Sequence, residues 1–89
     1  SWLIDGMLDA LDLKELLNVR ELPSEDDGAY HTLGGMTMIQ MGRVPKPADA
    51  FEWSGYRFEV VDMDGSRVDK VLVTRLPEAA RDDAESGES

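Results

Sequence analysis

The sequence has no cysteine, a single histidine, and fewer than half as many basic as acidic residues: Lys and Arg number 9 against 19 Asp and Glu. Without cysteine there are no disulfides, no thiolate nucleophile and no Cys-based zinc site, which is compatible with a reducing compartment. The lone His31 has no second imidazole with which to share a metal, and it reads as a structural or solvent-facing residue just before a helix cap. A net charge of −10 repels phosphate backbones and anionic head groups, so neither nucleic acid nor an anionic membrane surface is an expected partner. A partner would be basic, or cations would matter. No apolar run approaches the roughly 18 residues of a membrane span, so direct membrane insertion of this stretch is not expected. No signal peptide is visible, and there is no phosphate loop, dinucleotide fingerprint, nucleophile elbow, zinc-helix motif or paired-carboxylate pattern.

What remains is enough for one small domain. Its 89 residues can bury roughly 60% of their unfolded surface, which gives one thin core. The charge is uneven: residues 1–75 hold 14 acids and 8 bases, whereas residues 76–89 hold 5 acids and 1 base. After Leu76 the chain is Pro, Gly, Ser and acids, so residues 76–89 are expected to be an acidic, disordered tail behind a folded unit over 1–75. The opening Ser1-Trp2-Leu3-Ile4 lacks an initiator Met and reads as a fragment of a longer protein.

Trp2-Leu3-Ile4 predicts a short strand, closed by the turn pair Asp5-Gly6. Asp12 with Glu15 three residues on resembles a capping box, so a helix is expected from there, with Leu13, Leu16 and Leu17 on one side and Asn18 as a left-handed terminator. Glu25-Asp26-Asp27 reads as a solvated connector. Thr32 is an expected N-cap for a helix carrying Leu33, Met36, Met38, Ile39 and Met41, which Gly42 and Pro45 end. Those five point nearly all round the axis, the mark of a buried helix; the other elements are expected to wrap it, and a charge at Met36 or Ile39 to unfold the domain. Arg43–Asp49, with two prolines, predicts an extended connector. Phe51–Trp53, Tyr56–Met63 and Arg67–Arg75 predict a three-strand antiparallel meander, turned at Ser54-Gly55 and Asp64-Gly65. In the last strand Val71 and Val73 keep one parity and Val68 and Leu72 the other, so either both faces are partly covered or a bulge lies near Asp69-Lys70. The fold class is α+β: two helices on a small, mainly antiparallel sheet, in the order β-α-α-β-β-β.

Three stretches could carry chemistry. Asp62-Met63-Asp64-Gly65 resembles the opening of a calcium loop, but its spacing is wrong and the closing Glu is missing. A turn explains the Asp-Gly; a weak site for Mg, Ca or Co at Asp62 and Asp64, or at Glu25–Asp27, stays open because oxygen ligands suit hard cations. Gly34-Gly35 near a helix N-terminus could bind an anion, or could serve close packing that leaves no room for a Cβ.

Several pieces, in this order, resemble one family: Trp2-Leu3-Ile4-Asp5-Gly6, Asp12-Leu13 to Leu16-Leu17, Leu22-Pro23, Tyr30-x-Thr32-Leu33-x-Gly35, Met41-Gly42-Arg43-Val44-Pro45, Tyr56-Arg57-Phe58-Glu59-Val60, and Arg67-Val68-x-x-Val71-x-Val73. Together they look like the transporter-associated domain of the CorC/HlyC type. The chain departs from that pattern where Ala48 replaces the glycine of a Pro-x-x-Gly-Asp run, and where Asn18 replaces a glycine after the first helix.

The resemblance implies an accessory, non-catalytic domain that modulates ion transport. It would lie on the cytoplasmic face of the cell membrane, behind a CBS pair and a transmembrane region, in proteins linked to magnesium and cobalt efflux and in proteins labelled hemolysins. The resemblance extends to part of the flavin-binding domains of certain oxidoreductases, which implies flavin adenine dinucleotide or adenine-nucleotide binding as the alternative. It supplies no catalytic residues. Exposed sheet edges add an expectation of a homodimer.

Overall fold

The computed structural model describes residues 1–23 and 28–77. The elements run β1 (Trp2–Asp5), α1 (Ala10–Leu17), α2 (Leu33–Met41), β2 (Ala50–Trp53), β3 (Tyr56–Asp64) and β4 (Arg67–Arg75). All strands join one antiparallel sheet in the order β1-β4-β3-β2. Two helices on one face of a four-stranded antiparallel sheet make the α+β architecture that the sequence predicts. The expected tail at 76–89 and the acidic connector Glu25–Asp27 lie outside the described residues, except for Leu76 and Pro77.

Paired residues of an antiparallel sheet share a face, so the register sorts the side chains. Ile4, Val71 and Val60 form one row, and Trp2, Val73, Phe58 and Phe51 the next. Ile4, Phe58, Val60, Val71 and Val73 are buried, with Leu13, Leu17, Leu33 and Met36 of the helices in the same core. Each such side chain contributes roughly 1.5–3 kcal/mol by leaving water. Phe51 stacks on Phe58 with ring centroids 4.8 Å apart.

The first helix starts earlier than expected. Asp9, not Asp12, is its cap: the Asp9 carboxylate accepts from the Leu11 amide at 2.8 Å. Asp12 falls in the first turn, where its charge meets the positive end of the helix. This start buries Leu13 and Leu17, an i,i+4 pair, and turns Leu16 outward at 41% exposure, so the expected third leucine of the stripe is not in the core. Asn18 ends the helix in the left-handed region at φ 58°. Its amide donates to Glu15 and that of Val19 to Lys14, the paired bonds of a Schellman ending.

Thr32 and Gly42 bound α2 as its sequence predicts, Thr32 accepting from Gly35 and Gly42 sitting at φ 70°. The helix is not buried all round, however. Leu33, Gly34, Met36 and Thr37 face the sheet, while Ile39 is 44% exposed and Gln40 is open to solvent. The elements form two layers and do not wrap α2, because one sheet face can cover only one side of a helix. The buried Thr37 hydroxyl donates to the Leu33 carbonyl at 2.9 Å, so its burial leaves no orphaned donor.

The parity change in β4 has a structural cause. Val60 pairs with Val71, Asp62 with Lys70 and Met63 with Val68, so Val61 and Asp69 each stand out of register. The Asp69 bulge lets Val68 face the core together with Val71 and Val73. The freed Asp69 carbonyl accepts from the Gly6 amide at 2.8 Å, and the Gly6 carbonyl accepts from Gly34 at 2.7 Å. A Cβ on Gly6 would meet the Val68 carbonyl oxygen at 2.1 Å. The crossing therefore leaves no room for a side chain, and glycine is the residue that fits.

One hairpin turn matches expectation, and two other features of the chain differ from it in detail. Ser54-Gly55, at φ 52° and 84°, is the two-residue hairpin turn expected there. The second hairpin turns on Gly65-Ser66, one residue later than Asp64-Gly65, because Asp64 still pairs with Arg67. The expected extended connector over Arg43–Asp49 is closed by a turn: the Asp49 amide donates to the Lys46 carbonyl at 3.0 Å, with Pro47 and Ala48 at its centre. Ala48 lies at φ 80°. Proline followed by a positive-φ residue is the type II pattern, which favours glycine at the second position.

Candidate functional site

The β3–β4 hairpin carries the predicted cation candidates. Asp62 and Asp64 are exposed, two residues apart on β3. Strand geometry sets their Cα atoms about 7 Å apart. The Arg67 guanidinium donates to the Asp64 carboxylate at 2.7 Å. Asp62 lies opposite Lys70, whose ammonium is 3.5 Å from Asp69 and 3.8 Å from Asp5. Among the described residues no group of three or more His, Cys, Asp or Glu converges in a way that could hold a metal.

The glycine pair at the start of α2 is spoken for. The first four amides of a helix are the donors an anion would need. Here Leu33 donates to Leu8, Gly34 to Gly6, Gly35 to the Thr32 hydroxyl and Met36 to the Thr32 carbonyl. A Cβ on Gly34 would lie 3.0 Å from the Gly6 carbonyl oxygen, and one on Gly35 would lie 2.9 Å from the Tyr30 Cβ. The pair serves close packing, and these amides already have acceptors within the chain. His31 is exposed, and its carbonyl accepts from the Ala10 amide, so its backbone ties the two helix starts together. A depression of about 290 Å³ beside it is lined by Asp9, Leu11 and Tyr30. A second, of about 500 Å³, runs along α1 past Lys14, Glu15 and Val19.

Among the described residues, the titratable groups clearly shifted from their ordinary values lie in the turn after α2. Arg43 donates to the Asp49 carboxylate at 2.7 Å, and the Lys46 amide donates to the same oxygen at 2.8 Å. The guanidinium bond first, then the amide, hold the Asp49 carboxyl below its ordinary value, while Asp49 in turn raises Arg43. This latch was not singled out in the sequence. Its signal was Pro47 two residues before an Asp, with Arg43 within reach across one turn. Ala48 occupies a left-handed position, which gives the glycine expected there from the resemblance its physical reason.

Comparison with known proteins agrees with these structural markers. Residues 1–77 match the family model of the CorC_HlyC transporter associated domain. A UPF0053 protein of Synechocystis sp. is 44% identical over 100% of this chain, which spans 20% of that protein. The polyamine export protein of Salmonella typhimurium is 45% identical over 85% of the chain, which spans 17% of it. The transporter associated domain of a Xylella fastidiosa Temecula1 hemolysin, solved in complex with Mg++ and Mn++, superposes with a TM-score of 0.73 at 43% identity, covering 84% of this chain and 86% of that one. A CorC_HlyC domain from Haemophilus ducreyi gives a TM-score of 0.76 at 33% identity, covering 85% and 96%. The chain thus spans about a fifth of the curated relatives it matches. With the family model matched over residues 1–77 and the same two-layer fold in its solved members, this chain belongs to the CorC_HlyC transporter associated domain family.

Proposed function

We propose that this domain is the non-catalytic accessory part of a membrane exporter of cations and modulates its transport. It would stand on the cytoplasmic face, next to a CBS pair and a transmembrane region of the same parent chain. The observation that carries this reading is the family match over residues 1–77, joined to 45% identity with a polyamine export protein. Polyamines and the divalent cations magnesium and cobalt are the two cargo classes this reading admits. The geometry supports an accessory role, because apolar packing, helix caps and ion pairs account for the buried and paired residues described. The deciding experiment deletes the domain from the full-length parent in an efflux-deficient host and follows putrescine, magnesium and cobalt export. Efflux should change in rate while the parent still reaches the membrane. Unchanged efflux of all three would overturn the modulating role. Self-association through the sheet edges β1 and β2 belongs to the same reading, and a monomer at all concentrations in sedimentation would refute that part.

A second reading makes the domain a direct cation sensor at Asp62 and Asp64. It is favoured by the Xylella relative being described with Mg++ and Mn++. Calorimetric titration with magnesium, calcium and cobalt should then give heat that Asp62→Asn with Asp64→Asn abolishes. No heat at millimolar ion would sink it.

A further inference from the structure

The sheet face turned away from the helices has a pattern that solvation alone does not require. Where an antiparallel sheet covers a core on one side only, its outer residues alternate to polar. The register lays this outer face out in rows. Thr74, Arg57 and Glu52 form one row; Leu3, Leu72, Glu59 and Ala50 the next; Asp5, Lys70 and Asp62 the third. Leucines sit at the two neighbouring places on β1 and β4, directly paired, and Leu3 is 61% exposed. Val61, out of register beside them, is 44% exposed. An apolar centre is thus set inside a charged frame.

The frame is negative. Arg57 is already held by Glu59 at 2.6 Å, and Lys70 by Asp69 and Asp5. Asp62 and Glu52 have no ion-pair partner among the described residues. The unspent charge at the border of the leucine pair is therefore carboxylate. A second copy of this chain, with a net charge of −10, would bring like charge to that border. A segment with apolar residues along one side and lysine or arginine beside them would meet both features.

We infer that the open face of the sheet, centred on Leu3 and Leu72 and bordered by Asp62, docks a basic amphipathic segment that lies across β1 and β4. The segment would form a third layer on the sheet. Apolar contact with the leucines supplies affinity, and the carboxylates set orientation and association rate.

The test uses a labelled helical peptide with leucines along one face and lysines on both flanks, followed by fluorescence anisotropy at physiological salt. Leu3→Ser and Asp62→Lys should each weaken binding roughly tenfold, the scale of one lost apolar anchor or border charge. Controls on the helix layer, Ile39→Ser and Asp12→Lys, carry the same chemical changes away from the face and should leave binding within about twofold. Leu3→Thr replaces Leu3→Ser if the latter does not fold by circular dichroism. The inference is overturned if the wild type does not bind, or if the controls lose as much as the face variants, since net charge alone would then explain binding. It is equally overturned if the wild type sediments as a dimer that Leu72→Ser, on the inner strand β4, dissociates, because a second copy would then hold the face and not the β1 edge.

Discussion

The two faces of the sheet are made by the same strands from alternate residues, yet they differ in kind. On the helix side Phe58, Val60, Val71 and Val73 are fully shielded from water. On the other side Leu3 and Leu72 stand among Asp5, Lys70, Asp62, Glu59 and Arg57. The difference shows that stability and surface chemistry are separable here. Substitutions on the covered face should act on folding, and those on the open face on association.

The same contrast runs through α2, and a pair of variants breaks it or sharpens it. Met36→Asp places an unpaired charge in the core and should leave the chain unfolded at 25 °C, with loss of ellipticity, since such a change costs about 3 kcal/mol or more. Next in size is Gly6→Ala. Its new Cβ would press on the Val68 backbone, and chemical denaturation should show a loss of about 2–3 kcal/mol. Ala48→Gly should act in the opposite direction. Relief of the positive φ exceeds the added chain entropy, so chemical denaturation should show a gain of up to about 1 kcal/mol. Ile39→Asp, on the more exposed side of α2, should cost about 1 kcal/mol, well short of Met36→Asp. Were Ile39→Asp as damaging as Met36→Asp, the two-sided picture would fail.

The smallest expected effect concerns pH. The folded state holds the Asp49 carboxyl below its unfolded value of 3.8. Such a group adds stability above that value, and the contribution is lost as pH falls through the lower, folded value. The wild type should therefore lose a little more stability than Asp49→Asn between pH 4 and lower pH, measured by thermal melts across that range. The latch is solvent-exposed, so added salt should shrink the difference.

Much of the fold was legible because local signals and packing agreed. Thr32, Gly42, Asn18 and Ser54-Gly55 each satisfy a backbone need that no distant contact contradicts. The first cap was misplaced because Asp9 and Asp12 offer the same carboxylate, and only the choice that buries Leu13 and Leu17 together decides between them. The bulge on β4 was visible as a parity change; the matching break on β3 is there too, in the doublet Val60-Val61 followed by Asp62-Met63, but an unbroken Tyr56–Met63 strand passes over it. The exposed side of α2 was illegible for a different reason. Apolar residues all round a helix state what could be buried, whereas the number of layers decides what is. The open face of the sheet was hidden as well: Leu3 and Leu72 lie far apart in sequence and become neighbours only through the β1–β4 pairing.

That pairing also orders the folding reaction. Trp2 meets Val73 across almost the whole length of the described chain, whereas β2, β3 and β4 are joined by tight turns. Closing so long a loop costs chain entropy that is recovered only after the meander exists to receive the strand. The first strand in sequence should therefore be the last to add, and the first to leave when the domain opens locally. Hydrogen exchange should find the β1 amides released well before those of β3, which makes the edge carrying Leu3 the most readily opened part of the sheet.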